Sequence, residues 1–188
     1  MEKKLEIRVK KGDLLVSQPF MMDGNFRRTV VFLAEYNKDG ALGFILNRPL
    51  EYKVEELVLD FPDFKDNAYF GGPVATNTIH YIHRVGQILD ESIEIDNGIF
   101  WGGNFDKLKS LIANNLVSPN DIKFYVGYSG WSPGQLEDEL IHGSWIIAPV
   151  DSNYIFKQKN MDLWKKVLEH KGENFEIIAQ MRENFFLN

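Results

Sequence analysis

GYSGWSPGQLEDELIHGSW, residues 127–145, places two tryptophans, several glycines and a run of acidic side chains around what reads as one helix start. An ordinary core has no need of that mixture. Ser132 is a suitable N-cap, and Pro133 a suitable first helical residue because its missing N–H has no intrahelical partner to lose. Gln135 lies three residues after the cap, where its side chain can return to the cap's backbone. The spacing therefore predicts a helix beginning at Pro133. Leu136 and Leu140 supply its inward stripe, Gly143 suits the C′ position, and residues 144–150 return to strand. Upstream, residues 122–128 are β-branched and aromatic and read as a strand that delivers the chain into the loop before the helix.

Working outward, residues 14–17, 29–36 and 41–46 are further apolar runs separated by turn formers. Lys38-Asp39-Gly40 joins the second and third as a hairpin. Val54, Leu57, Val58 and Phe61 stand at helical spacing, so residues 54–61 predict a short helix that ends before Pro62. A second sheet-rich block follows at residues 68–70, 79–85, 92–95 and 99–101, the last two flanking the turn Asp96-Asn97-Gly98. Phe105, Leu108, Leu111, Ile112 and Leu116 form one helical stripe. The tail carries two amphipathic patterns, one on Leu163, Trp164, Val167 and Leu168, the other on Phe175, Ile178, Met181 and Phe185. Strands and helices mix without a regular βαβ period and without repeats, which predicts an α+β fold in one domain spanning residues 1–188.

The chain has 188 residues, 44% hydrophobic and 13% aromatic. A chain of that size buries roughly 70% of its unfolded surface and needs no metal or disulfide to hold it. Cysteine is absent, which excludes thiol catalysis, cysteine–zinc sites, iron–sulfur ligation and disulfides, and is compatible with a reducing compartment. MEKKLEIRVKKG at the start has no apolar stretch after its lysines, and no apolar run approaches the ~20 residues that span a bilayer. A cytoplasmic protein with no membrane partner is expected. Net charge is −6, from 21 basic and 27 acidic residues, which disfavours attraction to a polyanion. The short basic groups, Lys3, Lys4, Arg8, Lys10 and Lys11, then Arg27 and Arg28, then Lys165 and Lys166, read as solvated charge.

Six pieces in fixed order carry a resemblance: GDLLVSQPFM from Gly12, NFRRTVVFL from Asn25, GFILNRP from Gly43, FGGPV from Phe70, GYSGWSPGQLEDEL from Gly127, and GSW from Gly143. Together they resemble the YqgE/AlgH family of small bacterial proteins, from Gly12 to about Phe156, with the helices from Met161 onward matching least. The resemblance implies a bifurcated, mixed β-sheet, partly closed like a small barrel and surrounded by helices. It implies no established activity. Members carry the label of transcriptional regulator, yet no helix-turn-helix is evident here, and direct DNA binding is disfavoured.

Among candidate site residues, Asn47 and Arg48 end a strand just before Pro49, where arginine can make a planar contact with a carboxylate or phosphate. Alternatively Arg48 pairs internally with Glu137 or Glu139, and Asn47 caps the turn. Gly71, Gly72 and Pro73 form a turn whose N–H groups can cradle an anion or serve conformation alone. Gln135, Glu139 and His142 share one stripe of the helix, beginning at the loop that carries Trp131. Glu139-x-x-His142 has metal-pair spacing, but no second copy exists, so no metal and no cofactor are expected. His142 equally suits the helix C-terminus. His80 and His83 face opposite sides of a strand. Gly127-Tyr128-Ser129-Gly130 begins like a nucleophile elbow and fails at Trp131, where glycine is required; no phosphate-binding loop is present.

These readings converge on a groove bounded by Asn47, Arg48, Gly71, Gly72, Pro73, Trp131, Gln135, Glu137 and Glu139, serving a small molecule or a protein partner without catalysis and with a regulatory output. The alternative is a hydrolase that uses a carboxylate of the helix, with Arg48 as electrostatic stabiliser.

Overall fold

The computed structural model describes residues 8–157 and 162–180. Lys3, Lys4, Met161, Met181 and Phe185, named above, lie outside them. Among the described residues the elements run β1 (Leu14–Ser17), β2 (Val30–Asn37), β3 (Gly40–Ile45), β4 (Pro49–Lys53), α1 (Val54–Leu57), β5 (Asn67–Phe70), β6 (Val74–His83), β7 (Ile93–Asp96), β8 (Ile99–Trp101), α2 (Phe105–Ala113), β9 (Ile122–Trp131), α3 (Gln135–Ile141), β10 (Trp145–Ala148), α4 (Ser152–Phe156), α5 (Leu163–Lys171) and α6 (Glu173–Gln180). The fold is α+β.

One ten-stranded sheet runs in the order β10-β1-β2-β3-β9-β6-β8-β7, with β4 and β5 as a branch from β9. Every pairing is antiparallel except β5 with β9. β9 is the stem of the fork: Ser129 to Trp131 pair with β3, whereas Tyr125 and Val126 pair with β5. The path is open. It ends at β10 and β7, and no pairing joins them among the described residues, so the partial closure implied by the resemblance is not formed.

β1 to β3 are apolar at successive positions because both their faces are covered. Leu14, Val16, Val30, Phe32 and Phe44 pack toward the tail helices, against Ile155, Phe156, Leu163, Trp164 and Val167. Leu15, Val31, Leu33 and Ile45 point the other way, toward Leu136 and Leu140 of α3, Trp131 and Trp145. A third group joins Tyr81, Ile122 and Phe124 to Val54, Phe64, Leu108 and Ile112 under α1 and α2.

Both hairpins expected from turn residues form. Asn37 pairs with Gly40 across Lys38-Asp39, and Asp96 pairs with Ile99 across Asn97 and Gly98, both at positive φ (43° and 77°) as a type I′ turn requires. Three expectations change. α1 stops at Leu57 because Val58 is extended (φ −123°), although Val58 and Phe61 still pack inward. β9 continues through Trp131 where a loop was expected, and Leu116 falls beyond α2 and is exposed. β4 and α4 carried no sequence signal. β4 is polar, begins with proline and lies on a branch edge, where a missing N–H does no harm.

The connection from β5 to β6 passes over β9, since β5 lies along one edge of β9 and β6 along the other. Two backbones meet there without side chains between them. A Cβ on Gly71 would lie 2.3 Å from the Gly127 carbonyl oxygen, one on Gly72 2.3 Å from the Tyr128 carbonyl, and one on Gly127 2.7 Å from the carbonyl oxygens of Gly72 and Val74. Gly71→Ala is expected to lower the unfolding free energy by about 3 kcal/mol, because backbone rather than a flexible side chain must yield. Gly134→Ala, with open space around it but φ +79°, should cost only about 1 kcal/mol. Urea unfolding of the two variants checks the contrast.

Candidate functional site

Ser132-Pro133-Gly134-Gln135 is a type II β-turn rather than a helix cap. Pro133 occupies its second position and Gly134 its third (φ 79°, ψ −13°), and the Gln135 N–H donates to the Ser132 carbonyl at 3.0 Å. The proline–glycine pair decides the outcome, because Gly134 can take the left-handed conformation that Ser132 as N-cap would exclude. α3 therefore starts at Gln135, not Pro133, and no side chain caps it. One half of the expected box survives: the Ser132 N–H donates to Gln135 Oε1 at 3.0 Å. The C-terminus is as read. Gly143 (φ 73°) donates to the Leu140 carbonyl and Ser144 to that of Glu139, the two bonds of a Schellman motif.

α3 and the ends of β9 and β10 meet at one carboxylate. Glu139 Oε2 accepts from Trp131 Nε1 at 2.9 Å and from Trp145 Nε1 at 2.7 Å, while Oε1 accepts from Gln135 Nε2 at 3.0 Å. The two indoles stand edge to face at 5.9 Å, and Phe26 packs edge-on to Trp145 at 5.5 Å. Glu137 accepts from the Tyr36 hydroxyl at 2.6 Å; that bond, with burial, pushes the phenol up to about 12. His142 Nδ1 lies 2.7 Å from the Asp138 carbonyl oxygen, on its own helix. Glu139 is thus committed to donors other than a metal or His142.

Asn47 and Arg48 serve the segment before β2. Asn47 Oδ1 accepts from the Val30 N–H at 3.0 Å and its Nδ2 donates to the Arg28 carbonyl at 2.8 Å. Arg48 Nη2 donates to the Arg27 carbonyl at 2.5 Å, in place of the pairing with Glu137 or Glu139; Glu137 Oε1 and both oxygens of Glu139 already have donors. Gly71 donates its N–H to the Val126 carbonyl and accepts from the Ile45 N–H and Ser129 Oγ, both at 3.0 Å, so this N–H is not presented to an anion. Pro73 is exposed. The structure joins Trp131, Gln135 and Glu139 into one cluster and Asn47 and Arg48 into another. Phe26 and Arg27 stand between them, the ring on the tryptophans and the carbonyl on Arg48.

Two features escape sequence reasoning. The first is an open cleft of about 560 Å³ between the β2–β3 turn and the β9–α3 junction, lined by Glu35, Asn37, Asp39, Gly40, Leu42, Val74, Tyr128, Gly130, Trp131, Ser132 and Pro133 among others. Four strands, β2, β3, β6 and β9, from three separate parts of the chain build it, so no local pattern announces it. The second is Lys123, only 7% exposed on β9, paired with Asp66 and standing 5.8 Å over the Tyr69 ring; burial and then Asp66 push the Tyr69 phenol up to about 12.

His80 and His83 do face opposite sides. His80 contacts Phe44, Trp101 and Tyr128, and burial holds it below the usual imidazole range. His83 is fully buried and stacked on Phe100. Its Nδ1 accepts from the Val85 N–H, so the proton resides on Nε2, 2.8 Å from the Gly102 carbonyl oxygen. Burial lowers its pKa, partly opposed by that carbonyl.

Fold and site together define a class: an α+β protein built on one forked sheet, with its most elaborate polar cluster turned inward and an open cleft beside it. The chain belongs to the AlgH-like family, whose profile matches residues 14–176. A UPF0301 protein of Chlorobium limicola is 41% identical over 176 residues, covering 94% of each chain. One from Cytophaga hutchinsonii is 36% identical over 170 residues, covering 90% of this chain and 93% of its own. The solution structure of AlgH from Pseudomonas aeruginosa superposes with TM-score 0.73 at 28% identity, over 92% of this chain and 94% of that one. A crystal structure from Corynebacterium diphtheriae shares the fold with TM-score 0.79 at 21% identity, over 96% and 95%. Among the described residues no helix is long and apolar enough to cross a membrane.

Removing the carboxylate by Glu139→Ala leaves two buried indole N–H groups without an acceptor and is expected to cost about 3 kcal/mol, with a changed tryptophan emission spectrum; Gln135→Ala, at an exposed position, should cost well under ~1 kcal/mol. Urea unfolding followed by fluorescence reads both. For His83 the unfolded imidazole titrates near 6.5 and the folded one lower, so the unfolded state binds more protons as pH falls below 6.5. Stability is complete above that pH and declines beneath it. Urea midpoints between pH 7.5 and 5 should fall for the native protein and fall less for His83→Gln.

Proposed function

We propose that this protein acts as one cytosolic domain that binds a small molecule or a protein partner without catalysing a reaction, and that any regulatory output follows from occupancy of the cleft beside Trp131. The observation carrying this reading is the cleft itself. Its size falls in the range of small-molecule sites, and it has an apolar floor of Leu42, Val74 and Tyr128 under a polar rim. Of the groove expected from sequence, Trp131 lines this cleft. Asn47, Arg48, Gly71, Gly72, Gln135, Glu137 and Glu139 act in this reading as the framework that holds its walls, and Pro73 leads the chain into Val74 on the floor.

Hydrolysis would need a carboxylate of α3 open to substrate with Arg48 beside it. Glu139 has three donors, Glu137 holds Tyr36, and Arg48 reaches a backbone carbonyl, so no observation favours that alternative. Duplex DNA is disfavoured by the net charge of −6 and by an acidic rim at the cleft.

A fragment screen read by ¹H–¹⁵N correlation spectra tests the site. Binding fragments are expected to move the amides of Gly40, Gly130 and Ser132 in a saturable manner. Shifts confined to the Arg27–Arg48 neighbourhood, or none at the cleft, would overturn this placement.

A further inference from the structure

We propose that the cleft selects an organic cation, a small molecule with an ammonium group on an apolar body, held between the Tyr128 ring and the carboxylates of Glu35 and Asp39. The proposal rests on the cleft being a binding site and adds the class of ligand.

Charge is the first ground. Among the described residues the lining includes Glu35 and Asp39 and no lysine, arginine or histidine; Lys38, between them in sequence, is exposed and not part of the wall. Asp39 uses its backbone N–H to bond Asn37 Oδ1 at 2.7 Å, and its carboxylate has no partner among the described residues. Glu35 Oε1 accepts from Asn37 Nδ2 at 2.7 Å, leaving its second oxygen available. An anionic ligand group would meet like charge from these two exposed carboxylates, whereas an ammonium group would be attracted by them.

The second ground is the bare ring. Tyr128 and Gly130 project to the same face of β9. A Cβ on Gly130 would lie 3.3 Å from Tyr128 Cε2 and 3.8 Å from Val74 Cγ2, so any larger residue would cover that ring and the apolar floor. Glycine leaves them open. His80 meets the Tyr128 ring nearly perpendicularly at 5.8 Å, and burial lowers its pKa, which favours the uncharged imidazole beside the ring. An aromatic face beside carboxylates attracts an alkylammonium group through the ring quadrupole as well as by direct charge.

The third is rigidity of the rim. A Cβ on Gly40 would lie 2.2 Å from the Trp131 carbonyl oxygen, so the hairpin turn rests on the end of β9 backbone to backbone. Trp131 in turn is tied to Glu139. The acidic wall and the aromatic floor are thereby set by the same strand.

Three probes of one shape separate the ligand class from the site: 2-phenylethylammonium, 2-phenylethanol and 3-phenylpropionate, titrated while the amides of Gly40, Gly130 and Ser132 are followed. The ammonium probe is expected to bind about tenfold tighter than the alcohol, with the carboxylate weakest. The preference should shrink to about twofold in the E35Q/D39N variant, and Gly130→Val should abolish binding at the cleft. Equal or tighter binding of the alcohol or carboxylate overturns the cation assignment and leaves the cleft standing, as does a preference retained in the double variant. If no probe moves the cleft amides, the site falls as well.

Discussion

The molecule depends on a place where two backbones touch. β5 and β6 flank β9 on opposite edges, so the three residues joining them must cross that strand, and a sheet has no room above a strand for a second chain with side chains at the contact. Glycine on both partners, Gly71 and Gly72 above and Gly127 below, removes the obstruction. The crossing divides β9 into one part paired with β5 and another paired with β3. Its carbonyl at Gly71 then ties β3, through Ile45, to β9, through Ser129. The fork, the two-sided burial of β3 and the projection of Trp131 beyond the fork all follow from it.

Past the fork, the end of β9 is held along one edge by β3 and at its last residue by the carboxylate of Glu139. A half-buried carboxylate needs donors, and a buried indole needs an acceptor. Here two indoles and one amide meet one side chain, locking β9, α3 and β10 together. The chemistry that makes the segment conspicuous is consumed in assembling it. An acidic residue on a helix face, with tryptophans nearby, thus acts as an internal tie, and the same holds for Asn47, whose amide serves the backbone of Arg28 and Val30.

The cleft follows from this locking. Once β9 extends to Trp131 and the β2–β3 turn rests against it, the short residues Gly40 and Gly130 leave space over Leu42, Val74 and Tyr128 that no helix among the described residues lines. Members of the AlgH-like family share the fold over nearly the whole chain. In this chain the acidic rim and uncovered ring are what give the space a chemical preference.

Local chemistry determined much of the architecture in advance. β1, both hairpins, α2 and the Gly143 terminus of α3 were legible because apolar periodicity and positive-φ turns act over a few residues. Pro133-Gly134 was misread because a proline before a helix and a proline in a type II turn look alike until the next residue's φ is known. Single side chains were ambiguous for a different reason: Arg48, Glu139 and the paired glycines suit a binding site and a framework equally well, and only their partners distinguish the two. Two of those partners, Arg27 and Gly127, lie far off in sequence, and Trp145, only six residues from Glu139, reaches it because β9, α3 and β10 pack together. The fold class and most elements were therefore written in the sequence, while the roles of its most suggestive residues, and the existence of the cleft, were decided by tertiary structure, because hydrogen-bond satisfaction and backbone crossing are properties of segments brought together.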